Sequence, residues 1–302
     1  MEYVLADHQY GKAETRLVRI YRDAGQHQIR DLNVSTCLRG DFADAYLHGD
    51  QAKVLPTDSQ KNTAFAFALE QGVTDIETYA LALARHFADD IEPVQAARVD
   101  VDEYEWERVR LGDGDHPHAF VRASQEVRTT TAIVEGRGPA QRVWILSGLR
   151  DLVLLKSTGS EFAGFLHDRY TTLAETHDRV LATSLTARWR HVHPAADWKA
   201  VNTGVRRDLI ERFATVHSLA LQQSLWEMGK AVLAGQEGIA EIRLSAPNKH
   251  HFLVDLTPFG LDNRGEVFHA DDRPYGLIQC AVQRDEAPPA GPAWDAPSSF
   301  AD

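Results

Sequence analysis

The order of elements on either side of Gly136-Arg137-Gly138-Pro139 constrains this chain most. Glycine and proline end regular structure there, and the same succession is read before and after: a β-rich pair, helical periodicity, then strands. In the first half, residues 15–21 and 27–38 alternate as a hairpin around Asp23-Ala24-Gly25-Gln26, with Leu32, Val34, Thr36 and Leu38 on one face. Residues 64–69 read as helical. Thr74 and Glu77 form a capping box for a second helix, in which Ile76, Ala80, Leu83 and Phe87 recur at helical spacing up to Asp89. Residues 94–109 and 119–134 are long strands, and the apolar face of the first changes near Asp102, which predicts a bulge or twist there.

In the second half, residues 141–156 read as a strand pair broken at Ser147-Gly148, 156–160 as a loop and 179–192 as a strand. Leu209, Phe213 and Val216, then Leu221, Leu225, Met228 and Val232, keep helical spacing that one helix or two would satisfy. Strands follow at 239–244 and 250–256. The expected organisation is a first repeat at 1–138, a second at 139–284, and a tail at 285–302 whose Pro288, Pro289, Pro292 and Pro297 leave it flexible or draped over a neighbour.

Charge and cysteine content narrow the function. A formal charge of -12 opposes general binding to nucleic acid or anionic membrane, which needs a surplus of lysine and arginine. No apolar run would span a bilayer, the first 20 residues carry charges throughout, and the last residues lack a Ser-Lys-Leu address. Cys37 and Cys280 are the two cysteines, which suits a reducing compartment. A soluble, unexported, cytoplasmic protein is expected.

The most informative stretch for chemistry is Pro247-Asn248-Lys249-His250-His251-Phe252-Leu253-Val254-Asp255. On a regular strand Asn248, His250, Phe252 and Val254 share a side, the first two roughly 6.6 Å apart. An amide that can fix a ligand then stands next to an imidazole that can move protons. A solvated strand end explains the same residues without a ligand. Thr57-Asp58-Ser59 precedes a helix, where unpaired backbone N–H groups and the dipole favour an anion; Asp58 or Ser59 could equally cap that helix. Lys12, Phe162, Arg179 and Gln222 are ordinary when taken singly. The pairs His191/His193 and His116/His118 raise a zinc or copper site, but neither has an obvious third ligand nearby. No glycine-rich phosphate fingerprint is present.

Taken together, Tyr10-Gly11-Lys12, Thr57-Asp58-Ser59 with Lys61-Asn62-Thr63, Lys156-Ser157-Thr158 with Phe162 and Gly164-Phe165, Asp178-Arg179, Leu221-Gln222, Pro247 to His250 and Gly276-Leu277-Ile278 resemble the urate oxidase (uricase) family. The resemblance runs from about Asp7 to Val282. It implies an α+β class with tandem tunnelling-fold repeats, antiparallel sheets with paired helices that close into barrels in a homotetramer, and active sites at subunit interfaces. It implies oxidation of urate by dioxygen and water to 5-hydroxyisourate and hydrogen peroxide, with no metal and no organic cofactor. By the same resemblance Lys12, Thr57 and His250 are catalytic, while Thr57, Asp58, Phe162, Arg179, Leu221, Gln222 and Asn248 bind substrate, Leu221 through its backbone amide. Lys12, Thr57, Asp58 and His250 would face one protomer's side, and the others would come largely from its partner. Two alternatives stay open: a metal-dependent pterin or purine enzyme of the same fold using His191 and His193, and a non-catalytic purine-binding scaffold.

Overall fold

The structure is a computed structural model that describes residues 3–295 apart from 23–24, 113 and 196. Its elements are β1 (Tyr10–Tyr21), β2 (Gln28–Gly40), α1 (Ala43–His48), α2 (Thr57–Glu70), α3 (Ile76–Asp90), β3 (Val94–Leu111), β4 (Gly114–Glu135), β5 (Arg142–Lys156), β6 (Leu181–His191), α4 (Trp198–Thr215), α5 (Leu221–Gly235), β7 (Ile239–Leu253) and β8 (Phe268–Gln283). The strands pair in sequence order, leaving β1 and β8 as the end strands, and the ladders β1–β2, β2–β3, β3–β4 and β7–β8 are antiparallel. The class is α+β. Two of the turn residues read at the first hairpin, Asp23 and Ala24, lie outside the described residues.

Two compact units divide the chain: residues 1–148, 190–199 and 288–302 form one, and 149–189 with 200–287 the other. In the first, period-two positions Leu32, Val34 and Leu38 of β2 and Val99 and Val101 of β3 meet the 3.6-period stripe Ile76, Ala80, Leu83 and Phe87 of α3. In the second, Leu181, Leu185 and Trp189 of β6 and Ile242 and Leu244 of β7 meet Leu209 and Phe213 of α4 and Leu225, Met228 and Val232 of α5.

Several local expectations are corrected. The capping box does not form: Asp75 is the N-cap of α3 and no side chain caps it. Glu77 instead is fully buried, where it accepts hydrogen bonds from Ser147 Oγ (2.7 Å) and the Arg128 guanidinium (2.6 Å). The same network explains why β5 runs unbroken through Ser147-Gly148, since the Ser147 hydroxyl has interior partners and needs no turn. The expected bulge near Asp102 falls later, with β3–β4 register shifts at Tyr104/Trp106 and Arg108/Arg110. The helical spacing after residue 200 is two helices. Between them, Ser218 N–H donates to Gly159 O (3.0 Å) and Ser218 O accepts from Glu161 N–H (2.7 Å), so those backbone groups are committed to a loop. The two strands read in 239–256 are the single strand β7. The proline-rich tail packs on its own chain over residues 288–295, with Ala293 buried and Asp295 O accepting from Arg98 (3.0 Å).

Candidate active site

The first unit carries Lys12, Thr57 and Asp58. Gly11 lies so close to β2 that an added Cβ would sit 1.8 Å from Thr36 O, which leaves no room for a side chain before Lys12. Lys12 N–H donates to Thr36 Oγ1 (3.3 Å), and that hydroxyl donates to Gln60 Oε1 (2.7 Å) of α2. The ladder then slips between Lys12 and Thr15, with Glu14 at φ 54°. A bulge of this kind re-aims the residues beside it and is common next to active sites. Lys12 is half-buried and Thr57 half-buried.

Neither Asp58 nor Ser59 caps α2. The N-cap is Pro56, and no side chain bonds the first turn. The Asp58 carboxylate points along the helix to Lys61 Nζ (2.5 Å) and Asn62 Nδ2 (2.9 Å). These partners, Lys61 foremost, hold its carboxyl below the usual range. The start of α2 therefore offers backbone N–H groups with no capping side chain, beside a lysine and a threonine.

The second unit carries Phe162, Arg179, Leu221, Gln222, Asn248 and His250. Arg179 N–H donates to Ser160 O (2.9 Å), and Phe162 and Thr176 exchange backbone hydrogen bonds (2.8 and 3.0 Å), so the loop folds Phe162 against Arg179. The guanidinium carbon stands 5.5 Å from the Phe162 ring centroid. Phe165 stacks on Phe162 at 4.9 Å, so a flat substrate would take the other face. Burial pushes the Arg179 guanidinium down from its ordinary value, and its Nε–H is buried with no partner among the described residues. Such a donor costs about 1–3 kcal/mol until an acceptor reaches it.

Leu221 and Gln222 open α5, whose N-cap Ala220 again provides no capping side chain. The Leu221 side chain is core and Gln222 is exposed, as a contact through the Leu221 backbone and the Gln222 amide requires. On β7, Asn248 pairs with Gly276 but His250 pairs with Asp271, so Asp272 to Tyr275 of β8 fall out of register between them. The His250 ring stacks on Phe252 at 5.6 Å, consistent with the side shared by alternate residues.

His250 belongs to the same unit as Asn248, while Lys12, Thr57 and Asp58 belong to the other. The two histidine pairs do not behave as ligand pairs. His191 is buried and accounted for by Ser147, whereas His193 is exposed beyond the end of β6. Among the described residues no group of three or more His, Cys, Asp or Glu could hold a metal ion. Gln60, the fully buried anchor beneath Lys12, escaped the sequence reading, although its spacing to Ala64 and Ala68 on the buried face of α2 was a usable signal.

The uricase family profile matches residues 8–133 and 145–279. The chain belongs to the uricase family. It is 49% identical to the uricase of Arthrobacter globiformis over 297 residues, covering 98% of this chain and 95% of that one. Against the uricase of Aspergillus flavus it is 35% identical, covering 91% and 95%. The crystal structure of the Arthrobacter globiformis uricase superposes with a TM-score of 0.92 at 48% identity, covering 98% of this chain and all of that one. A uricase from Bacillus fastidious, at 23% identity and a TM-score of 0.81, shows the shared fold.

Proposed function

We propose that this uricase-family chain oxidises urate, C5H4N4O3, with dioxygen and water to 5-hydroxyisourate, C5H4N4O4, and hydrogen peroxide. Membership of the family makes it an oxidoreductase acting on urate, and neither a metal-dependent pterin enzyme nor a non-catalytic scaffold has support. The observation that carries the assignment of the site is the unpaired, buried Arg179 Nε–H beside the Phe162 ring.

Arg179 presents its fork to substrate oxygens, Gln222 offers both donor and acceptor to the purine edge, and Phe162 stacks on the ring. The opposite edge lies at the uncapped start of α2, on the Thr57 hydroxyl and the Asp58 backbone N–H. A purine lacking the matching groups would leave buried polar atoms unpaired. Lys12 and Thr57 take a proton from bound urate, which makes the ring a better electron donor to dioxygen. His250 relays that proton, and Asn248 holds dioxygen and then water over the ring. No organic cofactor or metal enters this scheme.

Lys12, Thr57 and Asp58 of one protomer face the Phe162, Arg179 and Gln222 set of another in a homotetramer, in the cytoplasm, with repeats at 1–138 and 139–284 as its structural halves. The end strands β1 and β8 support this, because exposed sheet edges call for pairing. One assay tests the function: loss of urate absorbance with oxygen uptake, with and without exhaustive chelation. Both should persist after chelation. Loss of both on chelation would restore the metal-dependent reading, and their absence in untreated protein would restore the scaffold.

A further inference from the structure

The three segments that carry Phe162, Arg179 and Gln222 meet at one side chain that the proposed chemistry does not use. Glu161 precedes Phe162. Its Oε1 is 2.5 Å from Nε2 of His217, just ahead of the Leu221-Gln222 helix start, and its Oε2 is 3.2 Å from Nδ1 of His177, two residues before Arg179. Both imidazole nitrogens donate, since a carboxylate can only accept. The backbone adds a second tie between the same segments: Glu161 N–H donates to Ser218 O (2.7 Å) and Ser218 N–H to Gly159 O (3.0 Å). Beneath them Ser224 Oγ donates to Ser218 Oγ (2.7 Å) in the interior. A Cβ added at Gly159, which sits at φ +72°, would stand 4.0 Å from Nδ1 of the His217 ring.

We propose that Glu161 is a positioning residue for the urate site: through His177 and His217 it fixes the Phe162–Arg179 loop against the turn that carries Leu221 and Gln222. This rests on the substrate-binding roles proposed above. The Glu161 carboxyl is held below the usual range, by His217 first and His177 next, as a carboxylate bonded to two donors should be. Other charged groups at this junction have their own partners: Asp178 accepts from Thr158 Oγ1 (2.8 Å) and Gly159 N–H (3.1 Å), and Lys156 Nζ donates to Val216 O (2.6 Å). Both bonds end on a carboxylate, which makes each of them charge-assisted.

The test is steady-state urate oxidation by Glu161→Ala and Glu161→Gln, with circular dichroism and light scattering to confirm fold and assembly. Glu161→Ala should raise KM roughly three- to tenfold, because two partly exposed bonds are lost, while kcat changes less than about twofold. Glu161→Gln, which keeps one acceptor, should fall between. Adding His217→Ala to Glu161→Ala should cost little more, since both remove the same bond. An unchanged KM or a loss confined to kcat would overturn the proposal. If Glu161→Ala misfolds, the same KM shift, smaller, is expected of His177→Ala, whose imidazole is 77% exposed and not needed for the core; an unchanged KM there overturns it equally. Failure of the wild type to consume urate would instead refute the assigned chemistry.

Discussion

At Arg179 one guanidinium N–H is buried beside Phe162 with no partner among the described residues, and the proposed site assigns it to a substrate oxygen. Arg179→Gln should raise KM for urate roughly tenfold to a hundredfold, the worth of a charge-assisted bond, and Arg179→Lys should not rescue it because lysine lacks the fork. Isothermal titration under anaerobic conditions reads the loss directly. Lys12→Met should lower kcat by roughly 10²–10⁴-fold with far less effect on urate affinity, as expected for a lost base, and unchanged turnover would remove Lys12 from the mechanism. His191 shows how a residue suggestive in the sequence can be structural. Ser147 gives its hydroxyl proton to Glu77, so the His191 Nε2–H donates to Ser147 Oγ (2.9 Å) and the ring is held neutral. Burial pushes its pKa down to about 4. The unfolded chain, with histidine near the ordinary 6.5, then binds the extra proton between those values. This contribution is fully present above about pH 6.5 and is lost as pH falls toward about 4, on the order of a few kcal/mol. Urea unfolding midpoints should drop across that window in wild type and drop less in His191→Gln, which can still donate but does not titrate.

At the level of elements, the two sets of candidate residues are built alike. Each has a helix start without a capping side chain, at Pro56-Thr57 in α2 and Ala220-Leu221 in α5. Each also has a chemistry-bearing residue beside a ladder fault, Lys12 on β1 and His250 on β7. The motifs were legible, because Gly11 has no room for a side chain and helix starts prefer short polar residues. The caps were not. Thr74/Glu77 satisfied the capping-box spacing, yet the Arg128 and Ser147 donors, 51 and 70 residues away in sequence, outcompeted a local backbone bond for the Glu77 carboxylate. Likewise, helical spacing ran through residues 216–220, and only pairing of that segment with the Gly159–Glu161 loop separated α4 from α5.

For the whole molecule, assembly is the decisive expectation. Val18 on β1 and Tyr275 and Leu277 on β8 are about half exposed or more, on the two end strands of the sheet. Light scattering should report a homotetramer. If Lys12 and Arg179 of each site come from different protomers, co-refolding Lys12→Met with Arg179→Gln chains should restore roughly a quarter of wild-type activity, through sites that draw both intact residues. Activity no greater than the sum of the separate variants would place the complete site within one chain. The sequence by itself determined the α+β class, the apolar faces and the uricase family, because these depend on local periodicity and on motifs held within a few residues. Only the tertiary structure decided that Glu77 and His191 are interior partners, that the tail returns to Arg98, that Asn248 and His250 stand either side of a register fault, and that Glu161 joins three segments. Each of those outcomes depends on which distant donor or acceptor reaches a polar group first, and spacing along the chain does not encode that competition.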